Sequence, residues 1–173
     1  VMRGEPVLRA WMLLHFISLM PYSLTMMLGP STVSPAAAQT MFRVAAAFIP
    51  MAAAAGAGFQ FRLLGREKEM RWLVWAGVGV SAVWVVLATV TDATVKGVYW
   101  LPAGLWYANA GDWAWLTLLT TIAAATPGFI AMGIAAVRMK PSMERRQLRL
   151  ALAANLITYS GLTDVALAYH AGM

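Results

Sequence analysis

Cysteine is absent from the chain, which excludes disulfides, thiolate metal sites and cysteine nucleophiles together. Charge is scarce as well: 12% of the 173 residues are Asp, Glu, Lys or Arg, where a soluble domain carries about 25%. There are seven acidic residues and two histidines. Along the chain they form no paired carboxylates, no nucleophile beside a base and no metal-ligand cluster, and no strand leads into a glycine-rich phosphate loop. Catalysis is therefore not expected, and neither a catalytic residue nor a metal ligand set is assigned. Transport is also disfavoured, since internal repeats are missing and few charges line a path within the apolar stretches.

Apolar residues are what the chain has in excess, at 61%. Roughly 20 of them in helix cross a bilayer, and five stretches qualify: 7–28, 40–61, 72–90, 113–137 and 148–169. The chain thus reads as one transmembrane domain over 1–173, an all-α, polytopic helical bundle of about five spans. The central stretch is 40–61, TMFRVAAAFIPMAAAAGAGFQF. Its alanine- and glycine-only run, 52–58, lets neighbouring helices approach closely, so it is expected to be the helix on which the others lean.

Basic residues set the expected orientation. Of 13 Lys and Arg, two lie at the N-terminus (Arg3, Arg9), four in FRLLGREKEMR (Arg62, Arg66, Lys68, Arg71) and five in RMKPSMERRQLR (Arg138, Lys140, Arg145, Arg146, Arg149). The intervening connections hold no charge in GPSTVSPAA and Lys96 as the single basic residue of 91–112. The positive-inside rule then places the N-terminus in the cytoplasm and the C-terminus outside. The net charge of +6 is accounted for in this way, and nucleic acid is not an expected partner. The first residue is valine, so the chain is expected to begin inside a longer or processed product. A signal peptide is not expected, because the first apolar stretch is too long and lacks a small-residue cleavage site.

Several residues stand out as candidates for function. The outer connection 91–112 carries Tyr99, Trp100, Trp106 and Tyr107, which suit either an interfacial cap at headgroup level or a lid over an outward-facing ligand pocket. Pro21, Pro50 and Pro127 lie inside apolar stretches, as structural bends or as pivots. Arg43, one turn inside the second stretch, and Asp164, in the outer half of the fifth, are costly in a membrane. Arg43 either snorkels to headgroups while Asp164 is hydrated, or the two pair and join the second and fifth helices. His15 is either hydrogen-bonded or the single ligand of a chlorophyll- or haem-type metal, and His170 lies too far towards the opposite face to share one haem with it. Asn155, Thr158, Tyr159 and Ser160 form a polar strip suited to interhelical hydrogen bonds. No cofactor is required, although a bound pigment or lipid is compatible with these residues.

Four pieces of the chain, RVAAAFIP, REKEMRW, GVYWLPAG and RRQLRLALAANLITYSGLTDVALAYHAG, resemble the seven-helix N-terminal membrane region of bacterial sensor proteins, in which histidine kinase or diguanylate cyclase domains commonly follow. The five stretches match the second to sixth helices of that family, which agrees with the orientation read from the charges. The resemblance implies a multi-pass protein of the bacterial inner membrane, a ligand or signal received at the outer face, and a cytoplasmic output domain as partner. The expected function is a non-catalytic, sensor-like module in which a small outer ligand biases helix packing at Pro50 and near Arg43 and Asp164. The alternative is an accessory subunit of a larger membrane complex, such as a photosynthetic or respiratory assembly, with other membrane subunits as partners.

Overall fold

Ser34 and Pro35 start the helix that the remainder packs against. The Ser34 hydroxyl accepts from the Ala37 N–H at 3.4 Å, and Pro35 occupies the first turn, where its missing N–H costs nothing. The computed structural model describes residues 6–171, with side chains for all of these except 7, 8, 67, 69 and 158–171. In chain order it has α1 (Pro6–Leu28), a short 3-10 turn (Gly29–Ser31), α2 (Pro35–Leu63), α3 (Glu67–Val90), β1 (Val95–Leu101), β2 (Leu105–Ala110), α4 (Ala114–Arg138) and α5 (Met143–Ala171).

Four of these helices among the described residues are long and apolar enough to cross a bilayer: Arg9–Ser31, Pro35–Leu63, Met70–Val90 and Ala114–Arg138. By length and composition this is a membrane protein. Burial separates α2 from the rest. Two thirds of its apolar window, 67%, is covered, against 11%, 22% and 28% for the windows of α1, α3 and α4. The stripe responsible is Ala52, Ala53, Ala54, Ala55, Gly56, Ala57 and Gly58, every one buried.

Contacts fix how the other helices run. Trp11 lies on Gly58, His15 on Ala52 and Met26 near Phe42, so α1 is antiparallel to α2. Ala54 meets Gly77 while Ala47 packs with Trp84 and Ala88, so α3 is antiparallel too. Leu116 joins the Ala47 cluster and Ala131 packs with Ala57 and Phe61, so α4 runs parallel to α2. The α3 and α4 helices touch each other little, and a buried bond ties them, Trp84 Nε1 donating to Thr117 Oγ1 at 3.1 Å. Leu63 and Leu64 of the α2 end pack with Met132, Ala136 and Leu148. The connections 62–71 and 138–149, which hold nine of the basic residues, therefore meet at one end of the bundle.

The all-α expectation fails at one place. Connection 91–112 is a β-hairpin, with β1 and β2 antiparallel. Its sequence, VKGVYWL then LWYANA, is rich in aromatic and β-branched residues, and the chain reverses over Pro102–Gly104. Gly104 N–H donates to the Leu101 carbonyl at 2.9 Å and Gly104 has φ +80°, the arrangement of a three-residue hairpin loop closed by a left-handed glycine.

Along the buried face of α2, added volume has nowhere to go. Ala47 is 0% exposed against Trp84 and Ala88. Ala47→Leu is expected to destabilise the bundle by about 1–3 kcal/mol, read as a lowered unfolding midpoint in detergent. Val83→Leu, at a position 61% exposed, is expected to leave that midpoint within error.

Candidate functional site: the hairpin cap and its arginine

The hairpin sits on the first turns of α2. Alternation along each strand sends successive side chains to opposite faces. One face, carrying Val98, Ala108 and Trp106, packs on Ala38 and Phe42 of α2 and on Met26 of α1. Tyr99 and Tyr107 are paired across the strands, so they share the other face, with ring centroids 5.6 Å apart. Trp100 and Trp106 form the neighbouring pair, edge to face at 4.8 Å. Both separations suit favourable aromatic pairs. The four aromatics singled out from the sequence thus come together in two pairs on opposite faces of a ribbon, rather than around one pocket.

Polar bonds fix the hairpin to the helices. Trp106 Nε1 donates to the Thr32 carbonyl at 2.9 Å, and Gln39 Nε2 to the Lys96 carbonyl at 3.1 Å. Arg43 Nε donates to the Val95 carbonyl at 3.2 Å, while Nη2 forms an ion pair with Asp92. One guanidinium therefore holds both the segment entering β1 and the strand itself. At the base, Lys96 Nζ reaches Asp112 Oδ1 at 2.5 Å and links the two ends of the hairpin. Gly111 follows β2 with its N–H on the Thr94 carbonyl at 2.9 Å, and a Cβ there would run into the Ala93 carbonyl. Thr94 is 2% exposed, and its hydroxyl has no hydrogen-bond partner among the described residues.

Arg43 lies deeper than the sequence spacing implied. With α2 starting at Pro35, it is eight residues in, about 12 Å along the axis. Its partner Asp92 was not singled out from the sequence, because it stands outside the apolar stretches. Asp164 lies on α5, but its side chain is outside the described residues, as are those of Thr158, Tyr159, Ser160 and His170. The α5 helix does approach β2. Asn155 Nδ2 donates to the Ala151 carbonyl within its own helix at 2.9 Å.

His15 is in the bundle, remote from the cap. Its Nδ1 lies 2.7 Å from the Ala52 carbonyl, which only accepts, so Nδ1 carries the proton and ties α1 to α2. Pro21, Pro50 and Pro127 all sit inside continuous helices, Pro50 fully buried. Among the described residues no group of three His, Cys, Asp or Glu side chains is placed to hold a metal. Neither a family model, nor a curated protein, nor a solved structure matches the chain.

Burial raises the Tyr107 phenol above its ordinary value, and charge repulsion from Tyr99 adds to the rise. A raised acid favours the folded state up to the ordinary phenol range, and that contribution is lost as pH rises through the folded value. Cap stability is accordingly expected to fall as pH climbs above about 10. Tyr107→Phe should flatten this loss, measured by hydrogen exchange of the hairpin amides. The ion pair and the carbonyl bond of Arg43 separate by mutation. The Asp92 side chain is 69% exposed, so Asp92→Asn is expected to cost under about 1 kcal/mol. Arg43→Ala also strips the Val95 carbonyl of its partner, and its cost should exceed that of Asp92→Asn by about 1 kcal/mol or more. Hairpin protection in hydrogen exchange reads both.

Proposed function

We propose that this chain is a non-catalytic, sensor-like membrane module that takes a small ligand or signal at the hairpin end. The observation that carries the reading is the double attachment of Arg43, which makes the cap and the central helix one mechanical unit. A ligand on the Tyr99–Tyr107 face that shifts the hairpin pulls on the first turns of α2 and biases how its neighbours pack around the buried Pro50. The proposed topology has five spans, with the two basic connections in the cytoplasm, the hairpin outside and the inner membrane of a bacterium as location. The resemblance to the membrane region of histidine kinases and diguanylate cyclases supports this orientation and a cytoplasmic output partner.

A second reading, an accessory subunit of a larger membrane complex, draws on the space between α3 and α4. There a cavity of about 190 Å³ is lined by small residues, among them Ala76, Gly77, Ala123 and Ala124 beside Pro127. A partner helix would pack closely against such a surface. In that assembly His15, with Nδ1 protonated, leaves Nε2 as the nitrogen for a pigment metal.

One set of experiments separates these readings. The chain lacks cysteine, so single-cysteine labelling needs no background removal. Arg66→Cys and Arg145→Cys are expected to label from the cytoplasm, and Ala103→Cys, at the hairpin tip, from outside. Labelling of Arg66→Cys and Arg145→Cys on opposite faces would overturn the span count and the function with it. Purification of the native protein should then yield a kinase or cyclase output, fused or bound. Stoichiometric co-migration with pigment or redox proteins would instead select the subunit reading.

A further inference from the structure

The other end of the bundle holds a second built feature, unrelated to the cap. Between the start of α1, the end of α2 and the start of α3 lies a cleft of about 290 Å³, lined by Trp11, Gly58, Phe61, Lys68, Arg71, Val74 and Trp75. Its volume is near the lower end of the range for small-ligand sites, about 300–1,000 Å³. The apolar wall is made by Trp11 and Trp75, whose rings sit 5.5 Å apart, over the buried Phe61. Trp11 lies so flat on α2 that a Cβ at Gly58 would come within 2.6 Å of its indole. That glycine leaves the room that the ring occupies.

The polar wall is Lys68 and Arg71, three residues apart near the start of α3 and so neighbours on its surface. Neither makes an ion pair among the described residues, although both border an apolar cleft. Glu67 and Glu69 share this turn, with side chains outside the described residues. The connection 62–71 nonetheless carries four cations against two carboxylates.

Depth identifies the kind of molecule that fits. The apolar windows end at Leu63 and begin at Met70 and Arg9. Gly58 and Trp75 are each five residues inside those limits, about 7.5 Å. The cleft thus runs from the headgroup level, where Lys68 stands, into the upper acyl region, where the two indoles lie. An occupant should be anionic at one end and apolar at the other. We propose that this cleft binds an anionic phospholipid, its phosphate between Lys68 and Arg71 and its glycerol and upper acyl carbons against Trp11 and Trp75. Basic pockets between membrane helices recognise anionic headgroups in this way, and indoles favour that depth.

The test uses the full chain in a neutral detergent, titrated with phosphatidylglycerol, phosphatidylcholine or inorganic phosphate while its unfolding midpoint is followed. Phosphatidylglycerol is expected to stabilise at concentrations at least about tenfold below phosphatidylcholine. Lys68→Gln and Arg71→Gln should each weaken that preference by roughly fivefold, with the midpoint in phosphatidylcholine and the helical circular dichroism unchanged. The two substitutions together should abolish the preference, and should that double variant fail to fold, each single variant is read alone. Arg138→Gln with Lys140→Gln removes the same charge from the neighbouring basic connection and is expected to leave the preference intact. Equal response to the two lipids, a preference that survives loss of Lys68 and Arg71, or an equal loss in the Arg138 and Lys140 variants would each overturn the proposal. So would inorganic phosphate alone matching the effect of the lipid, since the site would then take a free anion.

Discussion

The close approach of neighbouring helices to the alanine-glycine face of α2 is the constraint on which the bundle depends. In a bilayer, lipid tails are as apolar as leucine, so burying apolar area between helices gains little over leaving it in lipid. What remains is van der Waals contact, and that grows as backbones come together. The residues from Ala52 to Gly58 have no side chain beyond a methyl group, so α1, α3 and α4 all reach the backbone of α2. The His15 bond to the Ala52 carbonyl is a consequence. An imidazole reaches a backbone oxygen across a helix interface only where the facing residue has no bulk in the way. The exposure of Phe16, Ile17, Val83, Val86 and Ile130 on the outer surfaces is the other half of that arrangement, since bulk is directed outward.

A two-stranded hairpin is marginal by itself, and this one is stable because of where it rests. Val95 and Ala108 are buried against Ala38 and Phe42. Arg43 and Gln39 of α2 donate to the Val95 and Lys96 carbonyls of β1. Trp106 in β2 reaches the Thr32 carbonyl. Side chains of the helical domain thus bond backbone carbonyls that an edge strand would otherwise leave to water. Arg43 is a costly residue inside an apolar helix, and this bonding gives it a structural reason to be there. The same reason ties any displacement of the hairpin to the helix.

Much of the helical architecture was legible in the sequence, and the failures have specific causes. Apolar length placed the helices, and the small-residue run of 52–58 identified the central one, because both depend on composition within a single stretch. The start of α2 was set five residues late, at Thr40 rather than Pro35. The Ser34–Pro35 pair is a capping signal that a reading by apolar length alone does not register. The hairpin was missed because tyrosine and tryptophan at the edge of an apolar span fit an interfacial belt equally well. Alternation over 98–101 and the Pro-Ala-Gly reversal at 102–104 were the available signals. Asp92 was missed for a different reason. Which carboxylate meets Arg43 depends on the path by which the chain returns over α2, and nothing local in the sequence encodes that path.

The two features at opposite ends of the bundle are joined by one element, which limits how they act. Arg43 is fixed to the hairpin near the start of α2, and Gly58 and Phe61 floor the basic cleft near its end. Fifteen residue steps separate Arg43 from Gly58, about 22 Å of helix, interrupted by Pro50, whose ring removes one hydrogen bond from the ladder. A rigid helix would transmit a shift of its first turns to its last. A helix bent at Pro50 would absorb part of it, unless its neighbours held both halves. They do hold both: His15 bonds Ala52, just beyond the proline, while Trp84 and Ala88 pack on Ala47, just before it. The packing therefore splints α2 across its weak point, so that motion at the cap acts on α1 and α3 as well as on α2. Those are the helices whose ends form the walls of the cleft. In this geometry a lipid seated between Trp11 and Trp75 would bear on the same three helices that the proposed hairpin ligand would displace.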